Sequence, residues 1–206
     1  MNGDNRWADT QRLEGWAGEV RINLFRLAAV LAFYGHHLIN VYVIDDDPSR
    51  KGDYHAAVTL VVLAWTLLIL GLYWCLKRRW VPPTLKYAAT AADLVLITAL
   101  LVIGADAKTT LTDLYFLVIA AAALRLDLPL VYTATLTAMI CYASFLGYVK
   151  WVLELPDAQR PSRPQQLIAL LALGAAGILA GQVVRQARRL VDGQVLIVED
   201  AVEESA

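Results

Sequence analysis

The sequence predicts an all-α protein, a polytopic transmembrane helical bundle of six spans, and three observations predict it. Residues 56–76, 128–149 and 167–184 run without one charged side chain, and 58% of the 206 residues are hydrophobic. A hydrocarbon slab of about 30 Å needs roughly 20 residues of helix at about 1.5 Å rise each. Basic residues also gather at alternate ends of the apolar runs, as membrane topology requires.

The first span is expected over Ile22–Ile44 and the second over Tyr54–Leu76, where it meets the basic cluster Lys77, Arg78 and Arg79. Pro82 and Pro83 interrupt helix before a third span, Leu85–Gly104. The fourth, Leu111–Leu126, is short and alanine-rich, and reads either as a tilted crossing or as a helix buried among the others. The fifth starts at Leu128–Pro129 and ends near Lys150 and Trp151, and the sixth covers Gln166–Val184, after a stiff loop from Pro156 to Pro164. Three regions follow: a cytoplasmic leader over 1–20, a six-span membrane domain over 21–184, and a basic helix with an acidic tail over 185–206.

With six crossings and a cytoplasmic N-terminus, the inner side holds twelve of the eighteen basic residues, among them Arg21, Arg26, Lys86, Arg125, Arg185, Arg188 and Arg189. The positive-inside tendency therefore places both termini in the cytoplasm of a bacterial-type inner membrane. In the leader, Trp7, Leu13, Trp16 and Val20 recur at roughly helical spacing, which suits an interfacial helix; a disordered leader is the alternative. The leader is too polar for a signal peptide, so the first span is expected to stay in the mature protein. Beyond the sixth span, Asp192–Gly193 reads as a turn or helix stop and Glu199–Ala206 as a flexible acidic tail.

The spans leave little chain for a soluble catalytic domain, and no P-loop, dinucleotide fingerprint, zincin motif or nucleophile elbow occurs, so the protein is not expected to be an enzyme or to bind nucleic acid. Cys75 and Cys141 lie in apolar runs and read as small buried hydrophobes.

Ionisable residues inside spans mark where function is sought, because a charge at the bilayer centre costs at least about 2.5–3.5 kcal/mol. Asp93 lies roughly 12 Å into the third span at helical rise, with Arg26 and Arg125 as prospective partners. It serves either a packing role, paired or bonded to a neighbour such as Thr90, or proton handling in a small proton-coupled carrier.

His36, His37 and His55 form the second group. With the turn centred on Asp46, among Asp45, Asp46 and Asp47, His37 and His55 stand at similar depth on an antiparallel hairpin. A transverse b-type haem or a two-histidine metal site requires that arrangement. Asp47–Pro48 suits a helix start, although Gly52 and Asp53 could delay it. Headgroup-level hydrogen bonding with Tyr34, Tyr42 and Tyr54 is the alternative, and then no cofactor is needed.

The third group is Gly174, Gly177 and Gly181 on the sixth span, where Gly177 and Gly181 make a G-x-x-x-G step. That spacing serves either a homodimer or packing within the bundle.

The run Asp93–Leu126, DLVLITALLVIGADAKTTLTDLYFLVIAAAALRL, resembles the third and fourth spans of the six-span membrane region in bacterial sensor histidine kinases of the type IV pilus regulator kind. The likeness extends to NLFRLAAVLAFY in the first span and to GQVVRQARRL after the sixth, covering about residues 20–190. It implies structural polar roles for Asp93 and Arg26 and a signalling helix after the last span. No phosphoacceptor-histidine helix or nucleotide-binding domain follows that helix here, so no kinase activity is expected. The resemblance implies a membrane input module that signals to a cytoplasmic partner.

Overall fold

The computed structural model describes residues 3–44, 48–78, 82–104, 110–153 and 161–204, with side chains described at 16, 18–43, 52, 54–78, 82–104, 111–153 and 161–190. The described residues form six α-helices and no strand: α1 (Gly3–Ile39), α2 (Pro48–Lys77), α3 (Leu85–Gly104), α4 (Leu114–Ala123), α5 (Leu128–Trp151) and α6 (Arg163–Glu204). A π-helical turn, Asn40–Ile44, closes α1, and a 3-10 turn, Thr110–Asp113, opens α4.

Five of these helices contain segments long and apolar enough to cross a membrane: Gly18–Val43, Tyr54–Lys77, Leu85–Gly104, Leu128–Trp151 and Arg163–Leu190. Their outer faces are apolar as well, with Leu60, Leu63, Leu67 and Leu70 of α2 and Leu171, Ile178 and Leu179 of α6 exposed. Water would penalise such continuous apolar belts, whereas lipid accepts them. The protein is thus an all-helical integral membrane protein. Leu111–Ala123, containing α4, is apolar but shorter than those five segments.

The bundle is tied at one end by contacts from every helix. Trp16 Nε1 of α1 donates to the Leu76 carbonyl at the end of α2 (2.9 Å), and Glu19 of α1 meets Arg125 just beyond α4. Lys86 near the start of α3 pairs with Asp127 at the start of α5, while Arg188 Nε of α6 donates to the Leu126 carbonyl (2.7 Å). α4 therefore runs back towards the end from which α3 departs, so α5 begins there too. Its wholly buried Tyr115 hydrogen-bonds Thr98 of α3 at 2.9 Å and packs with Leu94, Leu101, Phe145 and Val149 in the core.

The α4–α5 corner turns on Leu126, a non-glycine residue at φ 52°. An L side chain in this left-handed region costs about 1–2 kcal/mol, and Asp127 then stands at the N-cap position of α5 in extended backbone, with Pro129 in the first turn. Leu126→Gly is expected to stabilise the protein by up to about 1 kcal/mol, read as a raised unfolding midpoint in detergent; a lowered midpoint would show that the leucine's packing outweighs its backbone strain.

Several sequence expectations change at this level. Residues 3–39 form one continuous helix rather than a leader helix set apart from the first span. The side chains of Trp7 and Leu13 lie outside the described residues. α2 begins at Pro48, so Gly52 and Asp53 do not delay it; Asp45, Asp46 and Asp47 lie outside the described residues. α6 passes through Asp192–Gly193 without a stop, because one glycine costs a helix only about 1 kcal/mol and strong helix formers flank it. The backbone is likewise helical at 199–204 of the expected acidic tail, while 205–206 lie outside the described residues, as do 154–160 of the proline-rich loop.

Candidate functional site

The polar centre of the bundle is built on α1. Ile22, Asn23, Arg26, Val30 and His37 are buried along one stripe whose spacing follows the helical period. Arg26 Nε donates to Asp93 Oδ2 of α3 at 2.7 Å, and Trp65 Nε1 of α2 donates to Oδ1 at 3.0 Å. Each carboxylate oxygen thus receives one donor from a different helix, and both residues of the ion pair are buried, at 6% exposure each. Among Arg26, Arg125 and Thr90, it is Arg26 that partners Asp93.

Arg125 is engaged one turn nearer the bundle end. Its Nε and Nη2 donate to Glu19 Oε1 and Oε2 at 2.7 and 2.9 Å, a bidentate pair, while Nη1 donates to Thr90 Oγ1 at 3.2 Å. Thr90 in turn donates to the Lys86 carbonyl at 2.8 Å. Glu19, Trp65 and Asn23 were not singled out by the sequence reading. A mid-span tryptophan, whose N–H needs a partner when buried, is the one sequence signal that points to Trp65. Asn23 Nδ2 donates to the Ile69 carbonyl at 3.2 Å, and its buried Oδ1 has no hydrogen-bond partner among the described residues.

Over this polar centre lies a cleft walled by Phe25, Ala29 and Phe33 of α1 and Leu117 and Ala121 of α4, with Trp65, Asp93 and Ile97 at its floor. Its empty volume is about 520 Å³, including the open mouth. Apolar walls around a paired carboxylate admit lipophilic matter and hold the ion pair away from water.

At the other end of α1, His37 Nε2 lies 3.2 Å from His55 Nδ1. The ring planes are within 9° of parallel with centroids 5.4 Å apart. That separation exceeds the nitrogen–nitrogen distance by about two ring radii, so the rings are not face to face. The two nitrogens face each other from near-parallel rings, an arrangement suited to an N–H···N hydrogen bond in which either ring could donate. Tyr34 stacks on His37, Tyr54 meets it edge-on, and Tyr42 of the π turn meets His55 edge-on. Tyr34 also shares a 3.2 Å hydrogen bond with Thr59. His36 is exposed and points away from the pair, as adjacent helical positions about 100° apart dictate. No group of three or more His, Cys, Asp or Glu side chains suited to a metal ion occurs among the described residues.

Gly174, Gly177 and Gly181 of α6 face α5 of the same chain. A Cβ on Gly177 would strike the Thr135 side chain, one on Gly181 would lie 3.3–3.4 Å from Tyr132 and Leu128, and one on Gly174 would reach Met139 at 3.9 Å. The G-x-x-x-G step therefore seats α6 against α5. Cys75 and Cys141 are free and partly buried.

No protein-family model, curated protein or solved structure matches the chain, so its functional reading rests on the geometry above.

Proposed function

We propose that the protein is a membrane sensor-like input or partner-binding module, without catalysis of its own, whose sixth helix carries the signal to a cytoplasmic partner. The observation that carries this reading is the unbroken course of α6 from Arg163 to Glu204, 42 residues, through its membrane segment and beyond. Residues 191–204 extend that rod by about 20 Å at helical rise, so a tilt or rotation within the bilayer reaches its far end undamped.

In this reading α4 is a sixth, short crossing. The supporting observation is its direction, which returns the chain to the end where Glu19 and Arg188 sit. Both termini then face the same side, and the charge bias makes that side the cytoplasm of a bacterial-type inner membrane. The resemblance to the membrane regions of pilus-regulator-type sensor kinases points the same way. The α1–α4 cleft above Asp93 is the proposed input, because a ligand wedged there presses on α4, which packs against α6. Such a device needs two arrangements with different affinities for the stimulus.

Spin labels at Trp16→Cys and Arg189→Cys, with Cys75 and Cys141 replaced by alanine, test this in lipid nanodiscs. A sensor is expected to give two distance populations whose ratio moves when Arg26→Met breaks the ion pair. One unchanging distance in both proteins would sink the reading.

A second reading is favoured by the meeting of His37 and His55: a redox or haem-bearing membrane protein using this pair. A transverse haem places iron between two nitrogens, each about 2 Å from the metal, so the 3.2 Å pair would have to open by under 1 Å.

A further inference from the structure

We propose that His37 and His55 form a linear two-coordinate site for a soft monovalent d10 cation, Cu(I) in chemistry and Ag(I) as its redox-inert counterpart. This rests on the second reading's pairing and assigns it a different occupant. The argument begins with direction. His37 Nε2 and His55 Nδ1 face one another along the line joining the ring centroids, with the planes 9° from parallel. With the shared proton no longer between them, the two nitrogens turn their lone pairs into the same gap from opposite sides.

Cations differ in whether they accept that arrangement. Zn(II) in protein sites takes four ligands at tetrahedral angles, whose bonds converge from corners and not from opposite poles. A d10 monovalent cation has low charge, no ligand-field demand, and is satisfied by two opposed donors. At about 2 Å per bond the nitrogens need about 4 Å, a separation that the two hairpin helices reach by moving apart by under 1 Å from 3.2 Å.

The surroundings suit one positive charge better than two. His37 is buried, and the rings of Tyr34, Tyr54 and Tyr42 lie 5.7–6.0 Å from the imidazoles. Aromatic walls of this kind bring no negative charge of their own, so a monovalent cation leaves less charge to offset there than a divalent one. Tyr42 is delivered by the π-helical turn Asn40–Ile44 that closes α1. Such π turns are rare and concentrate at functional sites, and here the turn sets one wall of the histidine pair.

Binding is a displacement: as the cation enters between the rings, the donor imidazole gives up the proton of the N–H···N bond and takes one up on its other nitrogen, so both rings stay neutral, no net proton is released, and each offers the cation a lone pair that a proton could otherwise take. No electron moves. Affinity is therefore expected to fall as the pH drops and protons compete for the same nitrogens.

The test uses the full-length chain in detergent with Cys75→Ala and Cys141→Ala, so that thiols contribute nothing, titrated with silver nitrate in chloride-free buffer. One Ag(I) per chain is expected by mass spectrometric metal analysis, retained in His36→Ala and lost in His37→Ala and His55→Ala. Histidine ring 15N signals of the parent protein give a readout free of site variants: two nitrogens should shift on silver addition. X-ray absorption should give two nitrogen neighbours at about 2 Å. No stoichiometric silver, or silver binding that survives both His37→Ala and His55→Ala, overturns the proposal. The same parent protein is expressed with haem supplied. A Soret band without silver binding overturns the cation site and leaves the haem reading, whereas silver binding without a Soret band does the reverse.

Discussion

Asp93→Ala is expected to lower the stability of the purified protein by about 3–5 kcal/mol, because it strips the buried Arg26 of its counter-charge. The effect divides unequally between the two donors. Hydrogen bonds inside membrane bundles average about 0.6 kcal/mol with a ceiling near 1.7, so Trp65→Phe is expected to cost only that much. The ion pair dominates because an uncompensated guanidinium has no water to turn to. Replacing both partners, Arg26→Leu with Asp93→Leu, should recover much of the loss, since no lone charge is left behind. Detergent unfolding of the parent, Arg26→Leu, Asp93→Leu and the double variant forms the cycle. An Asp93→Ala midpoint equal to that of the parent would show that the pair holds nothing together. The same residue separates a bundle lock from a proton-coupled carrier: in proteoliposomes, Asp93→Asn should abolish proton-coupled flux in a carrier, whereas in a lock it mainly weakens the fold.

The second large effect is expected at Gly177. An alanine there places its Cβ 2.8 Å from Thr135 Cβ and closer still to the rest of that side chain. Over-packing of this kind costs about 1–3 kcal/mol, and α5 and α6 must separate to relieve it. The neighbouring glycines provide the scale. Gly181→Ala meets flexible ends of Tyr132 and Leu128 at 3.3–3.4 Å and should cost less. Gly174→Ala meets one sulfur at 3.9 Å, so its gain in helix propensity, up to about 1 kcal/mol, should prevail. Thr135→Ala should relieve Gly177→Ala in part, because only the Cβ contact persists. Thermal melting of the series should order Gly177, Gly181 and Gly174 from most to least damaging. If Gly174→Ala were the most harmful, the close approach would lie elsewhere on α6.

The ion pair and the histidine pair show where sequence reasoning reached and where it stopped. Arg26 and Asp93 were matched by depth alone, since two charges entering the membrane from one side need each other. His37 and His55 were matched by their equal distance from the hairpin turn. Depth also makes Arg125 a second candidate for the same carboxylate, yet it binds Glu19 and Thr90. Depth does not say which way a side chain faces around its helix, and a rotation of one residue, about 100°, decides the partner.

By itself the sequence determined the solvent, the helical class and the extents of α3 and α5, because hydropathy sums over consecutive residues and helix breakers act locally. The tertiary structure alone decided that Trp65 and Glu19 complete the polar centre, that α4 turns back through a left-handed Leu126, that Gly174, Gly177 and Gly181 serve α5, and that two imidazoles meet nitrogen to nitrogen. Those outcomes depend on how each helix is rotated and in what register it packs. Rotation and register are set by neighbours far away in the chain, and no local run of residues encodes them.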